Sequence, residues 1–254
     1  MDRIQELFSL DGLQIVITGA SSGLGLNQAI LLAECGARVV ALSRTGEAKV
    51  DLRKELPNSL VFDRMDVTNE LEVEEKMKAI GESGGIDVLI NNAGITMRKS
   101  VQEIADEEWR KIHDVNINGI FYCCKHAFPF LSKSKHIGRV INISSMASYL
   151  GFSEVVPYSS SKAAVLGITR GLAVEWRNQN ILVNSVSPGW FPSLMSQQVM
   201  DDDRREKILN KIPLGRFGKP EELSSVIGFL ASSAATYING QDFSVDGGAL
   251  AFGY

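Results

Sequence analysis

Residues 13–42 read LQIVITGASSGLGLNQAILLAECGARVVAL. The run from Leu13 to Thr18 is short, apolar and β-branched, without the alternation of a half-exposed strand. Such a run suits a strand buried on both faces of a parallel sheet. It passes directly into Gly19-Ala20-Ser21-Ser22-Gly23-Leu24-Gly25 and then into a helical pattern, LNQAILLAEC, closed by Gly36 as a C-terminal cap. A second apolar run, Arg38 to Leu42, completes a βαβ unit with glycines at its first turn.

The glycines have a physical use. A backbone without Cβ permits a tight turn and lets a pyrophosphate approach the N-terminus of the helix, whose unpaired N–H groups and dipole favour anions. Gly19, Ser21, Ser22, Gly23, Leu24 and Gly25 are therefore the candidate dinucleotide-binding turn, the bland alternative being a strand-to-helix turn without a ligand. The second strand ends in Ser43-Arg44, where a NAD-binding unit often carries a carboxylate for the adenosine ribose. A carboxylate would repel a 2′-phosphate, whereas Arg44 can pair with one through two charge-assisted hydrogen bonds. NADP(H) is thus favoured over NAD(H), unless Arg44 is only a solvated loop cation; the glycine turn itself offers Ser22 instead of a second basic residue.

The alternation continues through LVFDRMDV, NELEVEEKMKAIGE and IDVLI to the turn Asn91-Asn92-Ala93-Gly94. Asp66, followed by Val67, reads either as an acceptor for an adenine amino group or as a carboxylate near a helix N-terminus. Asn92, Ala93 and Gly94 belong on the C-terminal edge of the sheet, where ligands bind. A long helix is expected from about Asp106 to a break at Pro129; it contains Asn116 and Asn118 in an apolar stretch, and a buried amide must find partners. Arg139 to Ile143 forms a fifth strand ending at Ser144 and Ser145, and a helix between Tyr158 and Trp176 puts Tyr158 and Lys162 on one face. A strand from Ile181 to Val186 leads to Pro188-Gly189 and an irregular region at about 190–213 that could close over a site as a lid. A helix at 220–235 and a strand from Asp242 to Val245 finish the chain. The pattern predicts an α/β fold over 1–254: a single doubly wound, Rossmann-type domain with a seven-stranded parallel sheet flanked by helices.

Composition narrows the partners. The 254 residues carry a net charge of −4, with 44% hydrophobic and 22% charged residues, so there is no basic footprint for nucleic acid. No apolar run approaches membrane-spanning length, and MDRIQELFSLDG does not resemble a secretory signal, so a cytoplasmic protein with a small-molecule substrate is expected. Cys35, Cys123 and Cys124 lack metal spacing and read as reduced, packing thiols; His113, His126 and His136 likewise show no metal spacing.

Taken in order, Thr18–Gly25, Asp66-Val67, Asn91–Gly94, Asn116, Ser145, Tyr158-x-x-x-Lys162 and Pro188-Gly189 make the chain resemble a classical short-chain dehydrogenase/reductase over its full length. The resemblance implies Tyr158 as general acid/base, Lys162 as its electrostatic partner and ribose ligand, Ser145 as positioner of the substrate oxygen, and Asn116 as anchor of a proton-relay water, with Asn118 structural. It also places Pro188, Gly189 and Ser193 at the nicotinamide carboxamide, although Pro192 departs from the usual pattern, and it implies a homotetramer with helices 106–128 and 157–176 at one interface. The chemistry agrees: hydride delivery to a carbonyl leaves a developing alkoxide, which needs a proton donor and a hydrogen-bond donor. An ammonium about 4 Å from the phenol would contribute roughly 4 kcal/mol at an effective dielectric near 20.

The stretches LFSLDG, NNAGITMR, INISSMASYLG and KIPLGRFGKPEEL most resemble the family's sugar-acid members, the gluconate 5-dehydrogenase and 2-dehydro-3-deoxy-gluconate dehydrogenase group. Arg98 is then either a guanidinium for a substrate carboxylate or a surface arginine, and Met146 either lines the pocket or packs. The alternatives are a 3-oxoacyl-carrier-protein reductase, for which Lys125, Lys133, Lys135 and Arg170 form no obvious basic patch, and a non-catalytic NADP-binding protein, which would be expected to lose part of the Asn116, Ser145, Tyr158, Lys162 set.

Overall fold

The computed structural model of the chain describes residues 3–49, 56–192 and 202–253. In order, the elements are α1 (Arg3–Phe8), β1 (Gln14–Thr18), α2 (Gly23–Glu34), β2 (Arg38–Ser43), β3 (Leu60–Arg64), α3 (Glu70–Gly84), β4 (Val88–Asn91), α4 (Asp106–His113), α5 (Gly119–Leu131), β5 (Gly138–Ile143), α6 (Val156–Glu175), β6 (Ile181–Pro188), α7 (Asp202–Leu209), α8 (Pro220–Ala231), β7 (Asp242–Val245) and α9 (Ala249–Phe252). The strands form one sheet in the order β3-β2-β1-β4-β5-β6-β7, and every pair is parallel. The order reverses direction between β1 and β4, and a ligand crevice opens at such a switch point.

Why β1 lacks alternation is plain from its two faces. Ile15 and Ile17 pack with Leu32 of α2 and Leu223 and Ile227 of α8, whereas Val16 packs with Met77 of α3, Cys123 of α5 and Val165 of α6. Each side chain is removed from water whichever way it points, and full burial of a branched aliphatic is worth about 1.5–3 kcal/mol. Gly36 ends α2 as expected: it sits at φ +96°, and Gly36 N–H donates to Ala33 O at 3.1 Å while Ala37 N–H donates to Leu32 O at 3.2 Å.

The expected single helix ending at Pro129 is corrected. α4 and α5 are separated by a five-residue π segment, Asp114–Asn118, and Pro129 lies inside α5, which continues to Leu131. A proline lacks only its own N–H to the carbonyl four residues earlier, and the groups after it still bond: Ser132 N–H donates to Phe128 O at 3.0 Å. Cys123 and Cys124 are buried on α5; burial raises both thiols, Cys124 to about 12, so they remain protonated packing groups. Among the described residues no helix is long and apolar enough to cross a membrane, and no cluster of His, Cys, Asp or Glu could hold a metal ion.

Candidate active site

The glycine turn is built against the β4 turn. Thr18 Oγ1 accepts the N–H groups of Asn92 (3.2 Å) and Ala93 (3.1 Å), and Asn92 Nδ2 donates to Thr18 O (3.0 Å) and Gly19 O (3.1 Å). There is no room for a side chain at two glycines: a Cβ at Gly19, whose φ is +68°, would lie 2.6 Å from Ala93 Cα, and one at Gly25 would lie 2.3 Å from Asn92 Nδ2. α2 starts at Gly23 with Ser22 as an extended N-cap that makes no side-chain capping bond. The first N–H groups of α2 therefore keep their capacity for an anion, and a Cβ at Gly23 would meet nothing within 4 Å. This cradle fits the pyrophosphate of a nicotinamide dinucleotide.

Other residues named for the coenzyme divide into surface and support. Leu24 packs against the α2 side of the core, and Val67 is buried against Gly119. Asp66 Oδ1 accepts the N–H (3.0 Å) and hydroxyl (2.8 Å) of Thr68, and the N-cap of α3 is instead Asn69. Asp66 Oδ2 keeps its acceptor capacity. Ser43 Oγ accepts the Gly46 N–H at 3.1 Å and lies 3.3 Å from Thr45 Oγ1, shaping the loop that carries Arg44. Pro188 closes β6, Gly189 N–H donates to Val245 O at 2.9 Å, and Ser193 lies outside the described residues.

Ser145, Tyr158 and Lys162 come together where β5 meets α6. Ser145 follows β5 and accepts the Ala147 N–H at 3.1 Å, while its side chain hydrogen-bonds Tyr158. Lys162 is 3% exposed, and its Nζ donates to Ile143 O at 2.7 Å and lies 5.8 Å from the centre of the Tyr158 ring. Ser144 Oγ, donating to Lys162 O at 3.0 Å, fastens the end of β5 to α6.

Burial governs the electrostatics here. It raises the Tyr158 phenol above its ordinary range, with the Ser145 hydrogen bond acting weakly against it, and lowers Lys162 to about 8. The Lys162 ammonium bonds the Ile143 carbonyl, and burial disfavours its charged form. Tyr158 is thereby held as the acid.

Asn116 is fully buried in the π segment. Its Nδ2 donates to Ile95 O (3.0 Å) and Ser161 Oγ (2.9 Å), and its Oδ1 accepts the Ile95 N–H (2.9 Å). Both amide hydrogens are consumed, so the side chain clamps the segment after Gly94 and leaves water binding to its carbonyl oxygens. Ser161, which no sequence signal marked, passes the chain on by donating to Tyr158 O at 2.7 Å. Asn118 bonds Asp114 Oδ1 at 2.8 Å and is structural, as expected. Also unmarked was a buried polar ladder: Asn91 Nδ2 donates to Asn142 Oδ1 (2.9 Å), and Asn142 Nδ2 donates to Thr169 Oγ1 (3.0 Å), joining β4, β5 and α6. The polar Asn142 within the apolar run Val140 to Ile143 was its signal.

On the substrate side, Arg98 Nε donates to Glu154 Oε2 at 2.7 Å, and Lys99 N–H donates to Glu154 O at 2.8 Å. Glu154 adopts φ +67°, so the loop before α6 is held in an unusual conformation against residues 98–99. Met146 is buried with Ile208, Ile212 and Ala249, next to Trp190 and Phe217. The described part of the suggested lid therefore packs beside Ser145; positions 193–201 lie outside the described residues.

A nucleotide cradle and a Ser–Tyr–Lys cluster on one edge of a seven-stranded parallel sheet define an oxidoreductase of the dinucleotide-binding type. The family model described as enoyl-(acyl carrier protein) reductase matches residues 19–249, and the chain belongs to the short-chain dehydrogenase/reductase family. It is 39% identical over 254 residues to 2-dehydro-3-deoxy-D-gluconate 5-dehydrogenase of Dickeya dadantii, covering 98% of this chain and 99% of the relative. To a 3-oxoacyl-acyl-carrier-protein reductase of Thermotoga maritima it is 38% identical over 245 residues, 95% of this chain and 99% of the relative. A solved gluconate 5-dehydrogenase from Burkholderia cenocepacia, in complex with NADP and tartrate, superimposes with a TM-score of 0.89 at 30% identity, covering 98% of this chain and 99% of that one.

Proposed function

We propose that this enzyme interconverts a secondary alcohol and a ketone of a sugar acid, preferring NADP(H), as a cytoplasmic homotetramer. The observation that carries the reading is the convergence of Ser145, Tyr158 and Lys162 beside the Gly19–Gly25 cradle. A bound nicotinamide supplies or accepts the hydride. Tyr158 donates a proton to the substrate oxygen in reduction and receives it in oxidation, and Ser145 holds that oxygen by a hydrogen bond. Lys162, whose Nζ lies 5.8 Å from the centre of the Tyr158 ring, and a water held by an Asn116 carbonyl return the proton in this reading. Sugar-acid names among the relatives, and the tartrate named with the Burkholderia protein, support an acidic substrate. Exposed apolar side chains at Phe121 on α5, Val174 on α6 and Phe252 on α9 support assembly.

The function is tested by screening sugar acids with NADP, and keto acids and acetoacetyl thioesters with NADPH. Thioester turnover exceeding that of every sugar acid would move the assignment to acyl-carrier substrates, the reading favoured by the Thermotoga relative. NADP is expected to give a kcat/KM at least tenfold above NAD, about 1.4 kcal/mol of discrimination from cation contacts to the 2′-phosphate. Equal efficiency with the two coenzymes would remove that preference. For Arg98→Gln, the KM for sugar acids is expected to rise about tenfold with kcat little changed, and neutral ketones to be unaffected. An equal effect on acids and neutral ketones would exclude carboxylate recognition.

A further inference from the structure

The segment after Gly94 is fastened on both sides of Arg98. A Cβ at Gly94 would lie 3.4 Å from Lys162 Nζ and 3.5 Å from Asn116 Oδ1, so the segment starts against the reacting groups. Asn116 clamps Ile95 through its N–H and its carbonyl, and Glu154 O accepts the Lys99 N–H at 2.8 Å. Arg98 stands between these anchors, four residues from Gly94, a span of at most about 14 Å. Glu154 belongs to the other loop of the site, the one that runs from Ser145 to Tyr158. Its Oε2 accepts from Arg98 Nε at 2.7 Å, so one ion pair ties together the two loops that leave the reacting groups.

Stability does not account for a glutamate here. Its φ of +67° is left-handed, and the other non-glycine residue in that region among the described residues is Asn180, a type that adopts it readily. A side chain with a Cβ costs more in that conformation than an exposed ion pair returns, and these two side chains are 48% and 36% exposed. A glycine would take the same turn and keep the main-chain bond from Lys99. A residue held against its backbone preference beside a site points to a use of its side chain.

Arg98 shows what that use is. Glu154 engages Nε alone, and among the described residues Nη1 and Nη2 make no hydrogen bond. The two terminal nitrogens are an edge of the guanidinium that takes a carboxylate through two parallel bonds. We infer that Glu154 is the positioning residue for acid selectivity: it holds Arg98 by Nε and leaves Nη1 and Nη2 for the carboxylate of the substrate. The inference deepens, and rests on, the proposed sugar-acid reaction. An arginine held in this way loses less rotamer freedom when the acid binds.

The test is oxidation of D-gluconate and of its neutral counterpart D-sorbitol with NADP by the purified full-length enzyme, for the wild type, Glu154→Gln, Glu154→Gly, Arg98→Gln and the double variant Arg98→Gln/Glu154→Gly. Glu154→Gly is expected to raise the KM for gluconate about three- to tenfold with kcat within about twofold, and to move sorbitol less than about twofold. Its thermal midpoint is expected to be no lower than that of the wild type, because the turn relaxes. Glu154→Gln, whose amide oxygen still accepts from Nε, should lose less. In the Arg98→Gln background Glu154→Gly should add nothing, since both changes act on one group. A KM for gluconate that is unchanged or lower in Glu154→Gly, while Arg98→Gln raises it, overturns the positioning role and leaves Arg98 as the acid reader. An equal loss on both substrates, or full additivity in the double variant, also overturns it. If Arg98→Gln itself spares gluconate, or the wild type does not prefer gluconate to sorbitol, the sugar-acid reading falls and this inference falls with it.

Discussion

Tyr158→Phe is expected to lower kcat about a thousandfold, within the range for loss of a positioned general acid, while affinity for the coenzyme stays within about twofold, an effect smaller than 0.5 kcal/mol. The substitution removes one hydroxyl from a side chain whose ring remains seated at the start of α6, so the fold and the Gly19–Gly25 cradle are untouched. Ser145 loses its hydrogen-bond partner but keeps the Ala147 N–H. The pH dependence has a definite sign. Burial raises the phenol, so Tyr158 remains protonated through neutral pH. Ketone reduction, which uses the protonated form, is expected to be level from pH 6 to 8, and alcohol oxidation, which uses the phenolate, to climb with pH. Near-normal turnover of Tyr158→Phe would remove the acid/base assignment; an oxidation rate that falls as pH rises would show that the phenol is not the titrating group.

Lys162→Met is expected to act in opposite directions on catalysis and stability. Activity should drop about a hundredfold, because the group placed to return the proton behind Tyr158 is gone. The folded protein should nevertheless be more stable at pH 7. Lys162 is 3% exposed and its pKa is lowered from 10.5 to about 8 by burial, so folding disfavours its charged form. That shift corresponds to about 3 kcal/mol, less roughly 1 kcal/mol for the hydrogen bond to Ile143 O that methionine cannot make. For a chain of this size the difference raises the thermal midpoint by about 5 °C.

The linkage fixes where the gain appears. Between pH 8 and 10.5 the unfolded chain binds a proton at this lysine that the folded chain does not. The penalty is therefore complete below pH 8 and fades as pH rises toward 10.5, so the midpoints of wild type and variant should converge with increasing pH. Calorimetric melts from pH 7 to 10 measure this directly. A variant less stable than wild type at pH 7 would mean that the buried ammonium is compensated by contacts beyond the Ile143 carbonyl. Stability given up at a catalytic position is a common trade.

Much of the fold was legible because its signals are short-ranged. The uninterrupted apolar run before Gly19 is what burial on both faces of a sheet requires, and Gly36 at φ +96° is what a helix C-terminus asks of its next residue. The four-residue step from Tyr158 to Lys162 put both on one helical face before any contact was known. Pro129 misled because a proline removes one hydrogen bond to the preceding turn without preventing the following N–H groups from bonding, and α5 continues to Leu131.

The candidate site was legible as a set of residues and much less as a set of interactions. Asn116 was marked by its polarity in an apolar stretch, yet its amide is used on Ile95, 21 positions earlier, and on Ser161, 45 positions later. Glu154, which holds Arg98 across 56 positions, carried no signal at all in a loop where a charged residue is ordinary.

From the sequence alone came the βαβ order, the glycine turn and the shared helical face of Tyr158 and Lys162, which rest on backbone sterics and periods that act over a few residues, and, through resemblance to the family, the set Asn116, Ser145, Tyr158 and Lys162 and the class of reaction. The tertiary structure alone decided how those groups are charged and what they touch. Lys162 next to Tyr158 in sequence terms predicts a more acidic phenol, but burial at the β5–α6 junction raises the phenol and lowers the ammonium. The reason is that desolvation depends on everything packed around a group, and the Ile143 carbonyl, the β4–β5–α6 polar ladder and the Ile95 clamp are brought there by parts of the chain far apart in sequence.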